Sequence, residues 1–292
     1  MTTLADGSPL RRSPRKLAAL LRSRPTLSAA VAGLLVLALV GVGAGFLAPF
    51  PADGTWATHP DNILQAPGAQ HWFGTDHLGR DVLSRVIFGA RTSLLIVVGV
   101  LVLAALVGVL LGTVAGYYGG WVGSAVLRTA DVFLAFPALL LTVVLVTVLG
   151  VGLWTVVVAV AVAWWPWYAR SAAAMARTIR TRGYVDAARC LGLSDPRILL
   201  RHVLPNTIPP VLVQLSIDAG TIVVTVAALS YLGVGVQEPT SEWGLMIQQG
   251  LQHLNGAWWI GVFPGIAVVL TALCLFTLGE SMRQSLVERG GS

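Results

Sequence analysis

Two aspartates embedded in apolar sequence, one lysine and one arginine-rich polar interval are what this chain offers to chemistry. Asp131 and Asp218 fall in or beside long uncharged runs, where an ionisable residue is a functional candidate by default. Arg128 precedes Asp131 by one helical turn, so a local ion pair is expected there. Asp218 is placed to meet another helix, a partner subunit or a pathway. An interhelical structural role leads for both acids. Lys16 is the only lysine. A phosphate-cradling loop requires Gly-x-x-x-x-Gly-Lys-[Ser/Thr], and this chain lacks it, so any ATP is hydrolysed by another chain. His-Glu-x-x-His, Gly-x-Ser-x-Gly and paired intramembrane carboxylates are missing too. No catalytic residue, cofactor or enzymatic activity is assigned. Cys190 and Cys274 lie far apart and define neither a disulfide framework nor a metal site.

The polar interval covers residues 184–206, YVDAARCLGLSDPRILLRHVLPN. Asp186-Ala187-Ala188 favours a helix, and Gly192 stands where a left-handed C-cap falls. Ser194 or Asp195 is placed to cap a second helix with Pro196 at its first position. That helix is expected to end by Pro205, since a residue before proline avoids the α region. The result is a compact helix–turn–helix, read either as a solvated loop or as a docking element for another protein.

Long apolar segments must position that interval. The chain has 292 residues, 55% hydrophobic and only 11% charged, against about 25% charged in a soluble domain. Residues 25–52, 92–127, 132–169 and 243–279 carry no Asp, Glu, Lys or Arg, and a membrane-spanning helix needs about 20 mostly apolar residues. The expected fold class is an all-α integral membrane protein with six transmembrane helices. They run over about 26–47, 93–115, 127–149 with a kink at Pro137, 154–168, 208–231 and 258–278. The fourth continues as a helix through Arg170, Arg177 and Arg180, and Trp164, Trp165, Trp167 and Tyr168 resemble an interfacial belt. Tight turns are expected at Gly116–Gly120 and around Gly150 and Gly152. In the external segment 48–90, Asp76 and Asp81 are expected to pair locally with Arg80, Arg85 and Arg91.

Sidedness follows from charge. Residues 1–24 hold six basic residues and read as a cytoplasmic segment ahead of a first span. With both ends inside, sixteen of the nineteen basic residues fall in cytoplasmic segments. The interval 184–206 is then cytoplasmic. The net charge of +6 does not signal nucleic acid, because the basic residues flank apolar spans. In the external residues 232–256, Trp243, Met246, Ile247, Leu251 and Leu254 form an amphipathic stripe. It reads as a surface helix or as one shaping an external vestibule. Trp243, Met246 and His253 are candidate vestibule or binding-protein contacts.

The spacing in the polar interval resembles the EAA motif of bacterial ABC-importer permeases: Glu-Ala-Ala, three residues, Gly, nine residues, Ile-x-Leu-Pro. Here it reads Asp186-Ala187-Ala188, Gly192 and His202-Val203-Leu204-Pro205. Asp186 replaces Glu, keeping the charge on a side chain one methylene shorter. His202 replaces Ile, as is usual in the peptide-importer branch. Phe73-Gly74-Thr75-Asp76, Gly79-Arg80-Asp81, Ser84-Arg85, Gly89-Ala90-Arg91, Gly116-Tyr117-Tyr118-Gly119-Gly120, Phe136-Pro137 and 229–235, LSYLGVG, extend the resemblance over nearly the whole chain. Together they are similar to C-type permease subunits of the dipeptide/oligopeptide/nickel importer family.

The resemblance implies a type I importer permease fold (MetI-like) with both termini inside. It divides the chain into a basic segment 1–24, a first span and external loop 25–91, a permease core 92–282 and a tail 283–292. The core contains a coupling helix within 184–205. Implied partners are a homologous B-type permease subunit, two ABC ATPase subunits or one fused ATPase chain, an extracytoplasmic solute-binding protein and membrane lipid. Asp186, Ala187, Ala188, Gly192, Leu204 and Pro205 are the implied ATPase-coupling residues. Leu199, Leu200, Val203 and Leu204 are expected to pack the second short helix on the bundle. The implied location is the bacterial inner membrane, and the implied cargo a dipeptide or oligopeptide, with nickel chelates, glutathione and haem as alternatives. An ion-coupled carrier is the rival outside this class, but the sequence has no clear inverted repeat. A purely structural subunit would have no need of the docking interval.

Overall fold

The computed structural model describes residues 25–290. The basic segment 1–24 lies outside the described residues, as do the side chains beyond residue 284. The chain runs first through α1 (Pro25–Val42), α2 (Ala44–Leu47), α3 (Val82–Tyr118), α4 (Gly120–Leu134), α5 (Ala138–Leu149) and α6 (Leu153–Arg180). It continues through α7 (Gly183–Cys190), α8 (Asp195–Ile198), α9 (Leu204–Tyr231), α10 (Trp243–Leu251) and α11 (Trp259–Gly290). No strand occurs among the described residues; an isolated bridge pairs Thr75 with Asp81. The fold is all-α.

The long helix α3 starts where Asp81 caps it, its carboxylate accepting from Ser84 N at 2.8 Å. It ends against Gly119, whose φ of 64° stops the helix. Its main neighbour is α6. Gly108, Gly112 and Gly116 repeat every four residues on α3, and small residues at that spacing let two helix backbones touch. A Cβ at Gly112 would stand 2.2 Å from Ala169 O, and one at Gly116 2.3 Å from Ala173 O. Above this rail, Ile96, Val97 and Val100 of α3, Val156, Val157 and Val160 of α6, and Ile222, Val223 and Val226 of α9 form the main apolar core.

Among the described residues, four helical stretches are long and apolar enough to cross a membrane: α1, α3, the run Asp195–Tyr231 and α11. The pair α4 and α5 adds a fifth if counted as one span. The kink expected at Pro137 is a break of 90° between these two helices. Extended backbone at Pro137 (ψ 122°) carries it. The expected fourth span is present as the single helix α6, but its apolar stretch is too short for that test. Trp164, Trp165, Pro166, Trp167 and Tyr168 interrupt it, and Arg170 follows. Half of α6 is buried within the bundle, so one face of it meets protein, while Trp154, Val158 and Trp167 are exposed on the other.

Two local expectations are corrected. Asp131 pairs with Arg170 of α6 rather than with Arg128, because the pair ties α4 to its neighbouring helix. The helix after Gly192 does not end at Pro205. It runs from Asp195 to Tyr231 without a break through a π turn over Leu199–Val203, and Leu204 keeps α geometry (φ −54°, ψ −48°) before the proline. The extra residue in the π turn relieves the clash between a proline ring and the carbonyl four residues back. Asn206 Nδ2 then donates to His202 O at 2.6 Å, and Thr207 Oγ1 to Leu204 O at 2.8 Å.

Candidate functional site

The polar interval folds into α7 and a tight exit. Leu193 N donates to Ala188 O at 3.2 Å and Gly192 N to Arg189 O at 2.9 Å. With Gly192 at φ 80°, this is a Schellman end to the helix. A Cβ at Gly192 would meet nothing within 4 Å, so only the backbone sign demands glycine there. Ser194 stands at the start of α8 with extended backbone, and Pro196 follows within its first turn. Its side chain makes no capping bond; the Ser194 carbonyl accepts from Arg197 N and Ile198 N instead.

Two faces separate cleanly on α7. Val185 and Ala188 are buried with Ala176, Ile179, Ile198 and Val203. Asp186 and Ala187 are exposed on the other face, and Leu191 is 80% exposed at the tip. Asp186 Oδ1 accepts from Arg189 Nη1 at 2.9 Å across open surface. Of the other sequence-named residues, Leu204 is half-buried and Pro205 exposed on the continuous helix. Val203 is buried as expected, but Leu200 points outward, 59% exposed. The result is a short helix, anchored on one face, with an exposed, ion-paired acid and an apolar tip on the other.

Opposite this, at the far end of α3, lies a buried charge cluster. Asp76 Oδ2 accepts from Arg80 Nε at 2.8 Å and Arg85 Nη1 at 2.5 Å. Its Oδ1 accepts from Leu78 N and Arg80 N. Burial raises the Asp76 pKa, but Arg85, Arg80 and those two amides outweigh it and hold the carboxyl below its ordinary value. Arg80 Nη2 reaches Glu238 Oε1 at 2.6 Å, and Arg85 Nη1 reaches Gln249 Oε1 at 3.0 Å. Asp81 is engaged by His71, with Nδ1 2.9 Å from its Oδ1. Burial pushes the Glu242 carboxyl up, against the Gly244 and Leu245 amides it caps.

The expected local pairing is present for Arg80 and Arg85 with Asp76. The long arms to Glu238 and Gln249 were not read from sequence. One signal was available: Glu238 and Glu242 are the only charges between Asp218 and Glu280, and isolated acids need partners.

The three vestibule candidates divide. Trp243 and Met246 are corrected to core residues, 1% and 0% exposed. Trp243 Nε1 donates to Val86 O at 3.0 Å, so the apolar face of α10 packs inward on α3, α9 and α11 instead of meeting a soluble partner. His253 is half-buried, stacked near His77 with ring centroids 5.9 Å apart, and lines a cleft of about 290 Å³ with Leu64 and Leu254. A second cleft, about 490 Å³, lies between Trp56, Phe88, Arg91, Leu95, Leu153 and Pro239. Asp218 accepts from Gln214 Nε2 at 2.9 Å on its own helix, with Tyr168 of α6 as its electrostatic neighbour. Among the described residues no group of three His, Cys, Asp or Glu is placed to hold a metal.

Comparison with known proteins gives the class first. A chain of the MetNI methionine ABC transporter, solved in inward-facing conformations, superposes with a TM-score of 0.53 at 18% identity, covering 68% of this chain and 95% of that one. The two share a fold, that of an ABC importer permease. Residues 108–289 match the family described as binding-protein-dependent transport system inner membrane component, and the chain belongs to that family. It is a multi-pass inner-membrane permease. The dipeptide transport system permease protein DppC of Alkalihalophilus pseudofirmus is 36% identical over 88% of this chain and 84% of its own length. The glutathione transport system permease protein GsiD of Escherichia coli O6:K15:H31 is 38% identical over 87% and 83%.

Proposed function

We propose that this chain forms half of the translocation pathway of an ATP-driven importer of short peptides. Its other half is a homologous permease subunit, and a solute-binding protein delivers cargo from outside. ATP is hydrolysed by separate subunits, as two chains or one fused chain. The exposed face of α7 docks in a groove of one ATPase unit, a helix-in-groove contact. Closure of the ATPase dimer on nucleotide then moves α7, and the spans exchange inward-facing for outward-facing arrangements. Nucleotide biases two global states through its differential affinity for them.

The observation that carries this reading is the form of α7. Val185 and Ala188 bind it to the bundle, while Asp186, paired with Arg189 of the same helix, and Leu191 are exposed. A merely solvated loop has no reason to present an apolar tip on a capped helix. The peptide class is supported by the dipeptide and glutathione relatives. Glutathione is itself a tripeptide, so it belongs to the same reading.

Cys190 is exposed beside the tip and serves as the test. In the complete complex it should cross-link to a cysteine placed in the ATPase groove. Gly192→Val should abolish most uptake while the chain still inserts, since a β-branched residue at φ 80° costs about 1–3 kcal/mol. Failure to cross-link, with full uptake by the valine variant, would remove α7 as the coupling element.

A further inference from the structure

Tyr117 closes α3 and has three partners on three other elements. Its hydroxyl donates to Asp195 Oδ1 at 2.5 Å, at the start of α8 and of the continuous helix through α9. Its carbonyl accepts from Arg180 Nη1 at 2.8 Å, at the end of α6. The Arg189 guanidinium of α7 lies over its ring, 5.8 Å from the centroid. The side chain itself is buried among Ala176, Ile179, Val185 and Ile198.

Apolar burial alone is non-directional and lets a short helix slide or turn on its seat. A hydrogen bond to a carboxylate is directional and stronger than a neutral one. It fixes the register of the α7–α8 turn against α3. Immediately behind it, the Gly108–Gly112–Gly116 rail holds the α3 and α6 backbones in contact, so the two helices move as one body.

We propose that Tyr117 is a positioning residue that passes displacement of α7 into the α3–α6 pair and into α9. This rests on the reading of α7 as the ATPase contact. Without the Tyr117–Asp195 bond, α7 still docks, but its motion is spent in slippage at the apolar seat.

The experiment uses the complete importer, with both permeases, ATPases and binding protein, in proteoliposomes. It reads solute taken up per ATP hydrolysed. Tyr117→Phe keeps the ring and loses the bond to Asp195. That ratio is expected to fall about tenfold, the scale of one charge-assisted hydrogen bond, while the melting temperature of the complex falls by only a few degrees. Asp195→Asn, whose amide oxygen still accepts, is expected to keep most of the ratio. Asp195→Ala is expected to match Tyr117→Phe, and the double variant to be no worse than either.

An unchanged ratio in Tyr117→Phe overturns the inference. So does an Asp195→Ala effect that adds in full to it. Lost uptake that tracks a lowered melting temperature at constant ratio also overturns it. The Cys190 cross-link, measured in the same samples, separates the two readings. A cross-link with an unchanged ratio removes Tyr117 alone; no cross-link in the unsubstituted chain removes the docking reading and this inference with it.

Discussion

Asp76 shows what a single residue holds in this molecule. It is wholly buried, with Arg80 and Arg85 buried beside it. Taking one partner from a buried charge pair costs about 3–5 kcal/mol, because the other charge is left uncompensated. Arg85→Met keeps an unbranched, flexible stem, shorter than arginine's, and removes the cation. The detergent-solubilised protein should then melt roughly 10 °C lower, and scanning calorimetry measures it. The neighbours of Asp76 also set the response to acid. Burial pushes His77 below its ordinary value, against the upward pull of Asp76 and Glu238, with Arg80 and Arg85 adding to the depression. Glu238 is also held low: burial raises it, but Arg80 and Arg85 outweigh that.

The sign is the same for all three groups. Each has a depressed folded pKa, so its contribution is present above the unfolded value and is lost as pH falls through the folded value. Stability should therefore begin to drop just below about pH 6.5, where unfolded His77 takes up a proton. It should drop again below about pH 4, where the acids do. His77→Gln should erase the first drop and leave the second; melting temperatures between about pH 8 and about pH 3 give the answer.

Among elements, legibility followed the range of the forces involved. The turn at Gly192 was readable because its Schellman bonds close within six residues and glycine is the residue that such a turn selects. The single helix through Arg170, Arg177 and Arg180 was readable for the same local reason. Pro205 misled because its cost is avoided by a π turn six to two residues earlier, a device with no residue-level signature. Asp131 misled because the nearer arginine in sequence is not the nearer one in space; α4 lies against α6. Burial of Trp243 and Met246 was hidden because an amphipathic stripe looks alike whether it faces lipid, vestibule or core. The α3–α6 rail gives this scale its test. Gly112→Ala places a methyl against the Ala169 backbone, and such overpacking costs about 1–3 kcal/mol. Gly45→Ala meets nothing within 4 Å and should be near neutral. The difference between their melting temperatures measures how tightly the pair is held, and equal effects would mean that the two helices can separate freely.

For the molecule as a whole, the decisive property is that its two clusters lie at opposite ends of α3. That helix has 37 residues, and a rise of 1.5 Å per residue makes it about 55 Å long. The hydrocarbon core it must cross is about 30 Å thick. The Asp76 cluster at one end and the Tyr117 cluster at the other therefore project from opposite faces of the membrane. Charge predicts which is which: for a chain threaded with six spans and both termini inside, sixteen of nineteen basic residues are expected on the α7 side, and basic segments stay in the cytoplasm. The two native cysteines make this measurable without adding a label. Cys190 is exposed on α7, and Cys274 is half-buried in the middle of α11. A membrane-impermeant maleimide should label Cys190 in inverted vesicles and leave it untouched in right-side-out ones. Cys274 should stay unlabelled in both until the protein is denatured. Trp56→Cys, on the external segment and 78% exposed, should show the reverse pattern from Cys190. If Cys190 reacts from outside the cell, the threading is inverted and α7 cannot meet a cytoplasmic ATPase.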